Sequence, residues 1–377
     1  MLNSHYQNEL AQLRRLANEF AQTNPALAPL LGIDSASDPD VERLLEGVAF
    51  LTGMVRQRLD DEFPEFIQEL AQLLYPHYLQ PLPCMTLLQF QPRAALQAPV
   101  HIEAGCEVFS VPVDGQRVRF RSTAPVDLEP LQLLSSQWEG GSGQERSIGL
   151  NFSLTVANPN DWKSDSLRFY LGGGLADASK LMRLLQLNLR EIRIAAPGQP
   201  VTLLPAKYLR SVGFDTNNQL LPFPNNAHPA YRCLQEYFAL PEKFLFVELS
   251  GFQQWHAREA GGQFSVRLMF ENLPDWTMEL SSNSFMLGVT PAINLFNQQA
   301  HPLRIDHKQT DYRIQPADHG QRMSIRIHSI LNVSAYVAGD GERPLKQFNT
   351  FSQHDTYNLR IRASSIDMHG YDHYISL

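Results

Sequence analysis

The most regular hydrophobic pattern in the chain lies between residues 39 and 62. Apolar side chains recur there at steps of three and four residues, at Leu44, Val48, Leu51, Val55 and Leu59. This spacing places them on one face of an α-helix. Asp38 suits the N-cap and Pro39 the first helical position, so the helix is predicted to begin here. Pro64 interrupts the pattern, and a second helix is predicted over residues 64–75.

The apolar face of this helix is wide, because four more residues extend it: Val41, Leu45, Phe50 and Met54. The polar side chains are confined to a narrow arc of Glu42, Glu46, Arg56, Gln57 and Asp60. A helix of this kind packs against more than one neighbour. Gly47 lies within the apolar arc, where it predicts the close approach of another backbone. Two interpretations stay open: a helix pair in the core of one domain, or an assembly bundle shared between subunits.

A second helical pattern comes before it. Its apolar and aromatic residues are spaced by four, three, four and three positions, at Tyr6, Leu10, Leu13, Ala17 and Phe20. This is the spacing of a short coiled-coil seam. A helix of this length is marginal alone, so it packs either on the helix that begins at Asp38 or on another chain. The predicted interface residues are Tyr6, Leu10, Leu13 and Phe20, together with Leu44, Val48, Leu51, Val55 and Leu59.

Beyond Pro83 the pattern changes from helical to strand-like. Runs typical of strands occur at residues 85–90, 100–111, 117–122, 148–156, 264–271, 285–289, 323–337, 357–363 and 373–377. The expected fold class is α+β, with an N-terminal helical bundle segment followed by β-rich modules with a few inserted helices. Three regions are predicted: a helical assembly segment at 1–82, a first β-rich domain at 83–200 and a second at 201–377. The apolar, strand-like end of the last region predicts truncation there.

A strand–helix–strand unit is predicted within the first β-rich domain. A strand over residues 167–171 leads through three glycines to a helix over 177–189 and a strand over 190–195. Glycines before a helix can bring backbone N–H groups close to a phosphate. The spacing here matches neither GxGxxG nor GK[ST], so a simple glycine turn is the preferred interpretation.

Composition and charge narrow the class of protein. With 43% hydrophobic and 19% charged residues, the 377-residue chain is typical of a globular protein of two or three domains. The formal net charge of −8 argues against a nucleic-acid partner. Three cysteines without a CxxC pair indicate neither a disulfide framework nor a zinc module. No signal peptide and no membrane span is recognised in the sequence, which predicts a cytoplasmic protein.

Side chains that could carry chemistry occur mainly in the last third of the chain. Neighbouring pairs are Asp306 with His307, Asp318 with His319, His354 with Asp355, and Asp372 with His373. His369 and His373 have HxxxH spacing, which aligns two metal ligands only on a helix, whereas Gly370 predicts a turn. Neither HExxH nor GxSxG is found. We therefore predict no catalytic residue, no metal ligand and no cofactor.

Two other stretches are better suited to packing and recognition. Residues 231–252 hold four aromatic residues that are expected in a core, Tyr237, Phe238, Phe244 and Phe246. Residues 290–314 join an apolar segment to a charged one. The charged side chains there are predicted to pair within the chain or between chains, and they complete the interface prediction: Arg304, Asp306, Asp311 and Arg313.

Several ordered blocks carry a resemblance to a known family. They are NPALAPLLG at 24–32, DPDVERLLEGVAFLTGMVRQRLDDEFPEF at 38–66, LLYPHYLQPLP at 73–83, and the stretches 210–252 and 290–313. Over nearly its whole length the chain resembles the type VI secretion baseplate protein TssF. One departure is Val289, where many relatives have cysteine before the Thr-Pro pair.

The resemblance implies a structural role without catalysis. Two TssF copies would join one TssG in a wedge that also engages TssE and the TssK adaptor. Such wedges surround the VgrG spike hub, and the platform primes tail-tube and sheath assembly, as in contractile phage baseplates. The helices at Tyr6 and Asp38 would enter a bundle with the second TssF copy and TssG. The implied location is the cytoplasm, at the cytoplasmic face of the inner membrane once assembled.

Two alternatives predict different surfaces. A β-rich glycan-processing enzyme would bring two carboxylates together in one cleft, about 5–10 Å apart. A carbohydrate-binding module would instead expose an aromatic platform, and buried tryptophans would count against it. The candidates for that platform are Trp138, Trp162, Trp255 and Trp276.

Overall fold

The fold is α+β, as predicted, with helices first and strands following. The computed structural model describes residues 2–24, 39–92, 95–113, 115, 117–140, 146–156, 162–215, 218–223, 228–255, 262–271, 273–274, 278–317, 325–337, 339, 341–347, 356–363 and 371–376. The helices are α1 (Leu2–Thr23), α2 (Pro39–Leu74), α3 (Pro76–Leu79), α4 (Leu175–Leu187) and α5 (Pro229–Ala239).

The strands fall into several small sheets. In the first half of the chain they are β1 (Met85–Gln89), β2 (Val100–Ile102), β3 (Glu107–Phe109), β4 (Arg119–Ser122), β5 (Val126–Leu128), β6 (Leu131–Glu139), β7 (Ser147–Leu154), β8 (Ser166–Tyr170) and β9 (Leu189–Ala195). In the second half they are β10 (Thr202–Pro205), β11 (Leu209–Ser211), β12 (Phe246–Ser250), β13 (Gln263–Phe270), β14 (Val289–Ile293), β15 (Tyr312–Arg313), β16 (Val333–Val337), β17 (Gly341–Gln347), β18 (Thr356–Ala363) and β19 (Tyr371–Ser376).

The chain forms two compact units that do not follow sequence order. Unit 1 comprises Met1–Leu79, Pro302–Gln315 and Ile330–Leu377, and unit 2 comprises Gln80–His301 and Pro316–Ser329. The division thus differs from the three successive regions expected from the sequence. A boundary at residue 200 would separate β9 from β10, which are paired antiparallel. Local patterns predict elements, but they do not show which strands return to the N-terminal helices.

Unit 1 combines the helices α1 and α2 with a five-stranded sheet. The sheet order is β15-β19-β18-β17-β16, and α2 lies against β18. Side chains alternate between the two faces of a strand, so Tyr357, Leu359 and Ile361 share one face of β18. Tyr357 is buried there, as are Ile375 and His373 on the neighbouring strand. The opposite face carries arginines.

The α2 helix is longer than predicted. It continues without a break from Pro39 to Leu74, so the prediction that Pro64 separates two helices was wrong. Proline removes one helical hydrogen bond, to the carbonyl of the residue four positions earlier. That residue is Asp60, which is exposed, so its carbonyl can bind water instead.

Unit 2 contains the main hydrophobic core. Its sheets have the orders β10-β9-β13-β7-β6, β1-β14-β4-β3, β11-β12-β8 and β2-β5. Phe264 of β13 stacks on Phe152 of β7 at 5.0 Å and on Trp162 at 5.5 Å between ring centroids. The helix α4 adds Leu181, Leu184 and Leu185, which are all buried. This core fixes the position of the surrounding loops.

The predicted strand–helix–strand elements are present as β8, α4 and β9, but their pairing differs from a parallel unit. β8 pairs antiparallel with β12, whereas β9 pairs antiparallel with β10 and β13 in another sheet. The glycines between β8 and α4 are required sterically. A Cβ on Gly172 would lie 2.3 Å from the Asn283 carbonyl oxygen, and Gly173 has φ of 96°. A glycine turn therefore explains this stretch.

Candidate assembly surface

The helices α1 and α2 form an antiparallel hairpin whose contact uses small side chains. Ala21 and Leu10 of α1 are buried, as is Ala49 of α2. One turn beyond Ala49, Gly53 faces the backbone of α1, and a Cβ there would lie 3.1 Å from the backbone nitrogen of Tyr6. The absence of a side chain at Gly53 thus lets the two backbones approach each other closely.

The sequence-based prediction assigned this close approach to the wrong glycine. Nothing lies within 4 Å of a Cβ built on Gly47. Gly53 was not predicted as the contact site because it lies on the polar arc of α2, whereas the prediction considered the apolar face. The sequence contains one signal for the close approach at Gly53, which is the pair Ala49 and Gly53, two small residues four positions apart on one helix face.

Ion pairs flank the small residues of the hairpin. They are Arg14 with Glu42 and Arg56 with Glu9 at 3.2 Å, and the His5 Nδ1 atom lies 3.8 Å from the Asp60 carboxylate. Exposed pairs of this kind each contribute about 0–1 kcal/mol. Their positions show that the narrow polar arc of α2 faces α1. The sequence pattern predicts that this side of α2 faces solvent, but it packs on α1 instead.

The wide apolar face of α2 is consequently left exposed. The exposed fractions are 68% at Leu44, 40% at Val48, 63% at Leu51, 60% at Val55 and 61% at Leu59. We call these five side chains the α2 apolar face. Large contiguous apolar patches mark sites of interaction with other molecules. In the part of the chain that the structure describes, these side chains do not lie in an intramolecular core, and their contact with another chain stays a prediction.

The α1 helix extends this exposed surface. Leu16 and Phe20 are 47% and 50% exposed and lie on the same stripe of α1 as Glu9, at steps of seven and four residues. Glu9 pairs with Arg56, which lies three residues before Leu59 on α2. The two apolar stripes therefore border the same side of the hairpin.

The α1 seam predicted from the sequence serves mainly the hairpin. Leu10 is 6% exposed, which agrees with packing of the seam on α2, and its contact with another chain stays a prediction. Tyr6 and Leu13 are half-buried. Phe20 alone of the four predicted α1 residues is largely exposed. Its role in an interface stays a prediction, as does that of the α2 apolar face.

Two of the four charged candidates in residues 304–313 pair within unit 1. Asp311 accepts hydrogen bonds from Arg360 at 3.2 Å and Arg362 at 3.1 Å, and its side chain is 10% exposed. Arg313 pairs with Asp372 at 2.7 Å. These contacts lie on the arginine-bearing face of the sheet. The intramolecular alternative accounts for both residues, and a contact with another chain stays a prediction.

The other two candidates, Arg304 and Asp306, lie on an exposed turn. Asp306 accepts a hydrogen bond from the Lys308 backbone N–H at 3.1 Å and from the Tyr312 hydroxyl at 2.9 Å. These two donors hold the pKa of the Asp306 carboxyl below its ordinary value. The Tyr312 oxygen in turn accepts the N–H of His307, which has φ of 57°. Asp306 thus shapes the turn, while Arg304 stays an interface prediction.

The tryptophans do not form an exposed platform in the part of the chain that the structure describes. Trp162 and Trp255 are buried in the core of unit 2. Trp138 is half-buried and donates its indole N–H to the Met278 carbonyl at 3.1 Å. Trp276 lies outside the described residues. Burial of two candidates counts against the carbohydrate-binding alternative.

A surface groove of unit 2 is the place where a cleft enzyme would be sought. Trp138, Glu139 and Arg146 contribute to its lining. Among the described lining residues Glu139 is the single carboxylate, and it pairs with Arg267 at 2.8 Å. A glycosidase needs two carboxylates that face one bond. Nothing in this groove supports the glycan-processing alternative.

The histidine candidates also lack the surroundings of a metal site. His373 is buried on β19, while His319, His354 and His369 lie outside the described residues. Within the described ranges, no group of three His, Cys, Asp or Glu side chains is placed to hold a metal ion. None of the helices that the structure describes combines the length and the apolar character needed to cross a membrane.

Comparison with known proteins agrees with this architecture. The family model for the type VI secretion system protein TssF matches residues 1–365. The chain belongs to the TssF family. The type VI secretion system component TssF1 of Pseudomonas aeruginosa is 33% identical over an alignment of 370 positions that covers 92% of this chain and 59% of that protein. The chain thus spans about three fifths of the length of this curated TssF relative.

Two solved structures contain chains with a similar fold. The structure of a type VI secretion TssK-TssF-TssG baseplate subcomplex contains a chain with a TM-score of 0.77 and 26% identity, covering 89% of this chain and 65% of that one. A baseplate complex from the type VI secretion system has a chain with a TM-score of 0.58 and 24% identity, covering 100% and 67%. The second match concerns the fold alone.

One of the stretches that resemble TssF, residues 210–252, is organised around a buried carboxylate. The Glu236 side chain of α5 is fully buried and accepts the backbone N–H groups of Leu220 at 2.9 Å and Leu221 at 3.0 Å. Its second oxygen contacts the Lys243 ammonium, and the Arg232 guanidinium lies 3.7 Å away. A single side chain therefore joins α5, the loop before it and the turn after it.

The aromatic residues of this TssF stretch divide into two groups. Phe244 and Phe246 are buried, as predicted from the sequence. Tyr237 and Phe238 are 52% and 82% exposed, so the prediction that they lie in a core was wrong. The reason is the orientation of α5, which turns Glu236 and Arg232 inwards. The neighbouring rings are consequently directed outwards.

Proposed function

We propose that this chain is a structural subunit of the type VI secretion baseplate and that its α1–α2 hairpin is an assembly element. The observation that carries the proposal is the exposure of the α2 apolar face while the polar arc of the same helix packs on α1. Family membership supports the proposed baseplate role. We propose no catalytic activity.

The occupants that we propose for this face are helices of a second TssF copy and of TssG. TssG accompanies TssF in the subcomplex to which this fold is similar. Five apolar side chains, each about half exposed, gain roughly 4–9 kcal/mol when they are covered. This gain offsets part of the free-energy cost of association, and we propose that it helps to hold a constitutive wedge of two TssF copies and one TssG.

Contacts made by the rest of the chain are proposed to be weaker. TssK is named with TssF and TssG in the similar subcomplex, and we propose that it contacts the assembled wedge. TssE and the VgrG hub are further proposed partners, on the basis of the resemblance of the sequence to TssF. The proposed location is cytoplasmic, at the cytoplasmic face of the inner membrane when the baseplate is assembled.

The test is the native mass of this chain co-expressed with TssG. We expect a complex of two copies of this chain with one TssG. The double variant Leu51→Lys, Val55→Lys is expected to lose the complex, because two ammonium groups would be desolvated in an apolar contact. We expect the dissociation constant to rise by at least about 100-fold.

The matched control is Glu46→Lys, which changes the charge of the same helix on the side opposite Val55. It is expected to keep the complex. If the double variant and wild type yield the same complex, the α2 apolar face is not the assembly surface. A wild-type chain that stays monomeric beside TssG would overturn the proposed wedge.

A further inference from the structure

Unit 2 carries a second exposed apolar surface, on the outer side of α5. Tyr231, Leu234 and Phe238 follow one another at steps of three and four residues, so they share one stripe of that helix. Tyr237 borders this stripe, with its ring centroid 5.7 Å from that of Phe238. Phe214 joins them, because its ring and that of Tyr237 both lie against Phe244, at 4.8 and 5.8 Å.

We call these five side chains the aromatic face. Their exposed fractions are 63% at Phe214, 47% at Tyr231, 55% at Leu234, 52% at Tyr237 and 82% at Phe238. Scattered apolar side chains on a protein surface need no explanation, but a contiguous group with four aromatic rings does. Aromatic side chains provide much of the binding energy at protein interfaces.

Contacts on the inner side of α5 hold the aromatic face in place. Glu236 lies on the inner side of α5 and bonds the loop at Leu220 and Leu221 and the turn at Lys243. Gly213 packs so tightly that a Cβ there would lie 2.6 Å from the Phe244 Cα. The helix and the loop that carry the aromatic face are therefore fixed relative to each other. A preorganised surface loses less entropy when it is covered.

The size of the aromatic face fits contact with a second copy. Large apolar side chains have roughly 150–250 Å² available for burial, so the five exposed fractions correspond to roughly 450–750 Å² of surface per copy. A specific protein–protein interface buries about 800 Å² per partner, a little more than half of it apolar. With a polar rim, the aromatic face has the extent needed for a stable dimer.

The charge of the aromatic face also favours a second copy. Its five side chains are uncharged, whereas the whole chain has a net charge of −8. A face without charged side chains lets two copies meet without placing charged groups of like sign directly opposite each other. Edge-to-face ring pairs, already present between Tyr237 and Phe238 at 78°, can form equally well across a two-fold axis.

We propose that two copies of this chain associate through the aromatic face, with α5 of one copy packed on α5 of the other about a two-fold axis. This contact is separate from the hairpin contact proposed above. It involves only unit 2, so it can be measured after the hairpin surface has been inactivated. An α5–α5 contact would link one copy to the next whether or not a further partner covers α2.

The first test is sedimentation velocity of the full chain with Leu51→Lys and Val55→Lys in every sample. These two changes suppress association through α2. We expect a monomer–dimer equilibrium in the micromolar range, and we expect Phe238→Lys to raise its dissociation constant at least about tenfold. A chain that is monomeric at every concentration would overturn the proposal.

The matched control is Leu187→Lys. Leu187 is 70% exposed in the last turn of α4, as Phe238 is 82% exposed in the last turn of α5, so both variants add the same charge to an exposed helix end. We expect this control to dimerise like its parent. Equal weakening by both variants would show a general effect of charge and would also overturn the proposal.

A second test identifies the occupant directly. A photo-crosslinking phenylalanine analogue at position 238 should yield a covalent dimer in which α5 peptides are joined to α5 peptides. The same analogue at position 187 should not. If position 238 joins only TssG when the two proteins are co-expressed, the aromatic face binds that partner and the α5–α5 contact is excluded.

Discussion

Glu236 lies in surroundings unlike those its carboxylate has in water. It is fully buried, yet it accepts two backbone N–H groups and contacts Lys243. A buried ion pair adds little net stability compared with apolar residues, but loss of one partner leaves the other charge uncompensated. Replacing Glu236 is therefore expected to lower the free energy of unfolding by more than the ion pair adds to it.

The variant Glu236→Gln keeps the shape of the side chain and removes its charge. We expect the free energy of unfolding to fall by about 3–5 kcal/mol, because Lys243 is left buried without a counter-charge. Urea unfolding of the full chain measures this change. Glu107→Gln serves as control, since Glu107 pairs with Arg119 at 3.8 Å on the surface and should cost less than about 1 kcal/mol. Equal losses would contradict the assignment.

At the scale of elements, the separation of α1 and α2 depends on Gly53. We compare Gly53→Gln with Gly47→Gln, because both place the same good helix former in α2. Gly47→Gln is expected to stabilise the chain by up to about 1 kcal/mol, since its surroundings are open. Gly53→Gln is expected to destabilise it by about 1–3 kcal/mol, since its Cβ would press on the Tyr6 backbone.

Thermal unfolding of the full chain, followed by the helical signal in circular dichroism, distinguishes the two glycine variants, because α1 and α2 contain most of the helical residues that the structure describes. Opposite shifts in the unfolding temperature are expected. If both substitutions stabilise the chain, a side chain at position 53 can be accommodated. That result would contradict the close approach of the two helix backbones at Gly53.

The hairpin also shows how far the sequence predicts a surface. The three- and four-residue steps identify the α2 apolar face correctly as one stripe, because helical periodicity is local. They do not reveal that Glu42, Arg56 and Asp60 face α1, since that depends on polar contacts with residues far away in the sequence. The polar side of a helix is usually inferred to face solvent. This inference fails for α2 because α1 also presents polar side chains at the contact.

Strand pairing, like the orientation of α2, cannot be predicted from the local sequence pattern. The segments β8, α4 and β9 were predicted from local pattern, but their partners β12 and β13 lie far along the chain. Neighbouring strands in sequence do not have to share a sheet. Likewise, the exposure of Tyr237 and Phe238 follows from the inward Glu236, for which the sequence contains no separate signal.

At the scale of the whole molecule, the two units predict that assembly and folding can be separated. The triple variant Leu44→Lys, Val48→Lys, Val55→Lys is expected to abolish assembly with TssG while the β-rich unit 2 stays folded, because all three side chains are exposed. Circular dichroism and native mass measure the two properties on one sample. Loss of all folded signal would instead show that these residues belong to a core.

The polar contact inside the hairpin has a consequence for its response to salt. The ion pairs Arg14–Glu42 and Arg56–Glu9 between α1 and α2 weaken as ionic strength rises, since the Debye length is only about 8 Å at physiological salt. Apolar association through α2 is not screened, and sulfate or phosphate strengthens it. Such salts therefore weaken the ion pairs of the hairpin while they strengthen its apolar contacts, including those of Leu10, Ala21 and Ala49. The ion pairs between α1 and α2 thus contribute least to the hairpin under the conditions that most favour the proposed apolar association through α2.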